Sequence, residues 1–271
     1  MKQGTRDFVE AILTVALAVT GAAAQQAMAP QIAAERHVKD IKAEQTDQAI
    51  FASPLCKLVK ANGGHYERRH EVSAATLAPS LFELMSQSDD VVVASAPLGL
   101  ASAISSSGED VGTYFDVRVL RTFKGHSKVG DVLTFGVPHG SVACEPPAVD
   151  SGQFVSAWTL DSGWLGQGSL GPYILFLRQS RADETNLLPG LRLAGGDGFQ
   201  GFFSVLDGNK RADCTGGESR LATCLAALDT IQEPISVRYR RDPLKEKYDG
   251  KPAWKFLKEV QSIAESLGNA K

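Results

Sequence analysis

From Gly112 to Gly125 the chain reads GTYFDVRVLRTFKG, with Tyr114, Asp116, Arg118 and Arg121 interleaved among Phe115, Val117, Val119 and Phe123. That period of two predicts a strand with one dry face, and Gly125 ends it. Upstream, APSLFELMSQSDD sets Leu81, Phe82, Leu84 and Met85 at helical spacing, with Pro79 as the first helical residue. The β-branched run VVVASAPL follows, so a short helix feeds a buried strand. GLASAISSSGEDVG (Gly99 to Gly112) is small, polar and glycine-bearing, which predicts a loop. After the turn HSKVGD, VLTFGVP (Val132 to Pro138) is a third strand. PYILFLRQ (Pro172 to Gln179), almost wholly apolar, is a central fourth; LRLAGG and GFFSVLDGNK predict a further pair. Helical periodicity then takes over in GESRLATCLAALDTI. Beyond Pro234 and an edge strand in ISVRYR, PAWKFLKEVQSIAESLG aligns Trp254, Leu257, Val260 or Gln261, Ile263, Ala264 and Leu267, with Gly268 as a C-terminal cap.

Short strands with turn signals and brief connections predict a small barrel or sandwich, mainly β with flanking helices. Phe115, Val117, Val119 and Phe123 are expected to share its core with Val91, Val93, Leu133, Phe135, Ile174 and Phe176. The organisation read from the pattern is a leader over 1–29 and a poorly defined arm over 30–76. A β-barrel domain over 77–210 and a helical C-terminal extension over 211–271, packed on the barrel, complete it.

Lys2 and Arg6 precede the apolar run FVEAILTVALAVTGAAA, and A-x-A-like sites allow cleavage after Ala24 or after Ala29. The run is too short and interrupted for a membrane span, which needs about 20 apolar residues. The expectation is a signal peptide and a secreted or periplasmic protein with no transmembrane span in the mature chain. Export gives the four cysteines a meaning, since an even count in an oxidising compartment suggests two disulfides. Cys214 and Cys224 flank TGGESRLAT, whose Gly216–Gly217 pair permits a tight return, which leaves Cys56 with Cys144.

The succession SDDVVVASA, YFDVRVLRTFKG, GDVLTFGVP and GPYILFLR resembles the core of netrin-like, tissue-inhibitor-type domains and their bacterial secreted relatives. The similarity runs from Leu81 to about Val205. It implies a small OB-like five-stranded Greek-key β-barrel, to which the periodicity adds C-terminal helices, and such barrels host many unrelated binding roles. Inhibitors of that type chelate a protease zinc through a cysteine at the mature N-terminus. Here the first cysteine is Cys56, well beyond both cleavage positions, so the resemblance does not extend to that mode of inhibition.

A net charge of -3 argues against nucleic acid as a partner, and the basic pairs in RR (Arg68–Arg69) and RYRR (Arg238–Arg241) read as solvated faces. GDGFQG matches a dinucleotide fingerprint in letters, but a strand-like FFSVL follows it where a helix is required, so no cofactor is expected. His65 and His70 in HYERRH lie about 140° apart on a helix, which does not suit a zinc helix. DGNKRAD lacks the glycine of a calcium loop, and no metal is expected. There is no G-x-S-x-G, and Ser127, Ser141, His126, His139 and Asp131 earn no catalytic assignment from proximity in sequence. Trp158 and Trp164, in the Gly-rich stretch His139–Gly171, either cap the barrel end or anchor a partner. With His139 they are the ligand- or partner-binding candidates. The leading functional expectation is an exported, non-catalytic binding or interaction module whose partner is an unknown protein or envelope component. The alternatives are a hydrolase with its site in the His139–Gly171 stretch and a structural, envelope-associated protein.

Overall fold

The computed structural model describes residues 36–63, 77–138, 140–145, 172–195, 200–205, 235–236 and 242–269. Five strands form its centre: β1 (Asp90–Ala94), β3 (Val111–Lys124), β4 (Val132–Pro138), β5 (Tyr173–Gln179) and β6 (Leu191–Leu193). β1 pairs with β3, β3 with β4, β4 with β6, β6 with β5, and β5 returns to β1. The ring is closed, and its only parallel step is β4 to β6. This mixed five-stranded circuit is an OB-like barrel in a mainly β fold with flanking helices. Three shorter strands extend it. β2 (Gly99–Ile104) pairs with the first half of β3, β7 (Phe202–Val205) with β5, and β8 (Ile235–Ser236) with β7.

The alternation in β3 is the expected one. Phe115, Val117 and Val119 are 6%, 1% and 0% exposed, whereas Asp116 and Arg118 are half-buried on the other side. Of the core partners expected from the sequence, Leu133 and Phe135 are there, but Val91, Val93, Ile174 and Phe176 are not. The barrel interior holds Val92, Ala94, Leu133, Phe135, Tyr173, Leu175, Leu177 and Leu193. Val91, Val93, Ile174 and Phe176 point outward into a second core, built with α4 (Leu81–Ser86) and α6 (Ala253–Asn269). β1 and β5 are therefore dry on both faces, which is why both read as unbroken apolar runs and why the runs could not reveal which residues face in. Two register shifts in the β1–β3 ladder re-aim the end of β3, so that Leu120 and Phe123 also join the outer core.

Other local readings are corrected by pairing. Gly99–Ile104 is a strand and not a loop, because the first half of β3 supplies its ladder. β6 and β7 do not pair with one another; they follow each other along one edge of β5. Between them Phe176 donates to the Gly201 carbonyl at 2.8 Å and accepts from Ala194 N at 2.7 Å. A Cβ on Gly201 would lie 2.8 Å from the Ala194 carbonyl, so the approach requires glycine. Pro79 lies outside α4, whose N-cap is Ser80, accepting from Glu83 N. Gly268 is inside α6, which continues to Asn269. The arm is not formless: α1 (Val38–Glu44), α2 (Asp47–Ala52) and α3 (Pro54–Ala61) pack on the barrel. Ser53 closes α2 and caps α3, accepting from Cys56 N, with Pro54 in the first turn.

The Cys56–Cys144 disulfide is present, with Cα atoms 5.2 Å apart, inside a small core with Leu55, Val59, Ile104, Val111 and Val142. Cys214 and Cys224 lie outside the described residues, as does the helix expected over GESRLATCLAALDTI. The C-terminal extension contributes β8 as well as α5 (Pro243–Tyr248) and α6. Gln200, 1% exposed, ties the parts together by bonding Ala78 N and Ala78 O and donating to Asp242, the N-cap of α5.

Candidate functional site

The outer face of β3, β4 and β6 carries the polar side chains the barrel interior rejects. On β3 and β4 these are Tyr114, Asp116 and Thr134; on β6 it is Arg192. Tyr114 lies across Gly136, where a Cβ would come within 2.7 Å of the ring, and its hydroxyl accepts from Leu188 N at 2.6 Å. The absent side chain at Gly136 thus lets an aromatic ring bridge from β3 to the 181–190 loop. Burial pushes the Tyr114 hydroxyl up to about 12, against the opposing Leu188 bond and the Arg192 and Arg36 charges.

Arg192 follows from strand alternation. Leu191 and Leu193 turn into the barrel, and the arginine between them turns out, yet it is only 6% exposed because the 181–190 loop folds over it. Its neighbour across the ladder is Arg178. Glu184 sits between the two guanidinium groups: Arg178 donates to both its oxygens, at 2.8 and 2.5 Å, and Arg192 Nη1 stands 3.3 Å from it. Burial alone would raise the Glu184 carboxyl, but the bonds from Arg178 and Arg181 N, with the charges of Arg192 and Arg178, hold it at about 2. Burial lowers the Arg192 guanidinium, opposed by Glu184. Nη1 also donates to Asn186 at 3.3 Å, while Nε and Nη2 are buried without a hydrogen-bond partner.

Two connections frame this face. The β1–β3 connection, which contains β2, meets the loop between β5 and β6: Ser106 donates to the Leu187 carbonyl at 2.9 Å through Oγ, and Ser107 N to the Thr185 carbonyl at 3.0 Å. α1 lies on the face itself, with Val38 and Ile41 against Ala101, Ala103, Tyr114 and Leu187. Asp116 holds the start of α1, accepting from Val38 N at 3.1 Å, and takes the Thr134 hydroxyl at 2.5 Å. His37 Nδ1 is 3.3 Å from the same hydroxyl. A nucleophile would give its proton to the imidazole; this threonine gives it to a carboxylate, so the trio clamps the arm to the barrel.

The sequence candidates are placed as follows. Trp158, Trp164 and His139 lie outside the described residues, as do His65, His70 and most of the His139–Gly171 stretch. Ser127 and Asp131 are spent in the β3–β4 turn, where the Ser127 hydroxyl donates to Asp90 and Asp131 accepts from Lys128 N. Ser141 N donates to Ser102. Among the described residues no group of three or more His, Cys, Asp or Glu is placed to hold a metal ion. No helix among them is long and apolar enough to cross a membrane. Sequence reasoning missed Arg178, Glu184, Arg192 and Tyr114. The signal for Arg192 was a charge between two core leucines, but its burial comes from a loop that alternation does not describe.

Comparison of the chain with family models, with characterised proteins and with solved structures finds no match to any of them.

Proposed function

We propose that the protein is an exported, non-catalytic binding module that uses the outer face of β3, β4 and β6. The observation that carries this reading is the meeting of the β2 connection and the 181–190 loop over a polar cluster in which Arg178 and Glu184 are half-buried and Arg192 is buried. OB barrels bind ligands on the corresponding strand face and between the corresponding loops, and the filled interior leaves the outside as the place for a partner. The Cys56–Cys144 bridge supports an oxidising compartment, in keeping with the apolar leader and its cleavage positions after Ala24 and Ala29. The netrin-like relationship is part of the same proposal and rests on the resemblance of the strand motifs together with the OB-like circuit. The partner is a protein or envelope component.

Site-specific photo-crosslinking in cells expressing the full chain tests the reading. A photoreactive residue replaces Ala182, exposed in the 181–190 loop, or Val129, exposed in the turn at the far end of β3. Discrete adducts from position 182 and none from 129, recovered outside the cytosol, are the expected result. Equal yields from both positions, or adducts only in the cytosol, overturn it.

A further inference from the structure

We infer that Arg192 is the receptor for an oxyanion, a carboxylate or a phosphate group presenting two oxygens side by side. The inference rests on the binding-face reading above and gives that face its ligand chemistry. Its basis is which guanidinium atoms are left over. Nη1 is occupied by Glu184 and Asn186, whereas Nε and Nη2 have no partner. These two nitrogens form one edge of the planar group, with parallel N–H bonds spaced to meet two oxygens of one carboxylate or phosphate. A buried polar atom left without a partner carries a desolvation cost, and a whole unpaired edge of a charged group is unusual enough to require an occupant.

The charge balance points to the same chemistry. Arg178 and Arg192 carry two positive charges against the single carboxylate of Glu184, while Arg36, near Tyr114, is paired with Glu44 at 3.5 Å. One incoming negative charge neutralises the cluster; a neutral ligand or a lone water molecule does not. Glu184 orients the site by fixing Nη1, so that the free edge keeps one direction. Access lies beneath the 181–190 loop, whose contacts with Tyr114 through Leu187 and Leu188 have to loosen when the anion enters.

The test uses the purified full chain titrated with sodium phosphate, and separately with sodium acetate, against sodium chloride at equal ionic strength. Backbone amide NMR shifts and thermal melts are recorded. Saturable shifts centred on Glu184, Asn186 and Arg192, with a rise in Tm that chloride does not produce, are expected from phosphate, acetate or both. Whichever acts identifies the head group. Arg192→Lys keeps the charge and removes the fork, and affinity should fall about tenfold or more. The wild-type amide shifts stand as evidence even if that variant fails to fold. Shifts that follow chloride equally, or a lysine variant that binds as well as the wild type, overturn the inference. Neither result would bear on crosslinking from position 182, so the face and its anion chemistry fail separately.

Discussion

At Val117, 1% exposed inside the barrel, and at Arg118, half-buried on the outer side, one residue of register separates core from surface. Val117→Asp puts a carboxylate among Phe135, Leu175 and Leu193, with no partner for its charge or its polarity. It should lower the unfolding free energy by about 4 kcal/mol or more. Arg118→Asp should cost no more than about 1 kcal/mol, most of it from a second acid two residues from Asp116. Urea melts of the two variants decide this; a larger loss at Arg118 would mean the register is wrong. Lys245 gives a prediction in pH. The residue is 2% exposed, with Nζ 5.7 Å from the centre of the Phe203 ring, and burial lowers its ammonium to about 8, opposed by Asp242. The unfolded chain then holds more protons than the folded one between about pH 8 and the ordinary 10.5. Stability therefore rises with pH across that window. Tyr114, raised from 10.0 to about 12, has the opposite effect above about pH 10. The Tm of Lys245→Met relative to that of the wild type should be highest below about pH 8 and should fall towards about pH 10. A gap independent of pH would contradict the assignment.

Among the elements, the strands with strong side-chain signals were legible. VLTFGVP is β4 over the same residues, and the alternation in β3 named its buried side correctly. β2 was not legible because GLASAI has small residues with little strand preference. Its ladder comes from β3, and its alanines are small because α1 lies on them. α1 to α3 are six to eight residues long, too short to hold helix on their own. They exist through caps and contacts that no local pattern contains. The pairing of Cys56 with Cys144 was reached by elimination and ties α3 to the segment after β4 across 88 residues. Replacing both by serine should lower the unfolding free energy by about 2–5 kcal/mol. Differential scanning calorimetry would show it, and a change below about 0.5 kcal/mol would mean that the bridge adds little constraint to the unfolded chain. The polar cluster was hidden for a related reason. Arg178, Glu184 and Arg192 are unremarkable letters until β5 and β6 pair and the loop between them folds back.

At the scale of the whole molecule, a rigid closed ring carries a detachable cover on the outer face of β3, β4 and β6. The ring closes through five consecutive β1–β5 partners, from Asp90–Leu177 to Ala94–Tyr173, and is packed inside and out. The cover, α1, is seven residues held by Val38, Ile41 and the Asp116 clamp. Native-state hydrogen exchange of the full chain tests this division most directly, because local and global openings separate in one experiment. The prediction is that amides bridging β1 and β5 exchange only through global unfolding. Those of α1 should exchange through a local opening of lower free energy, lowered further by Asp116→Asn. Exchange of α1 as slow as that of β1 would contradict the detachable cover, and fast exchange along β1 and β5 would contradict the closed barrel.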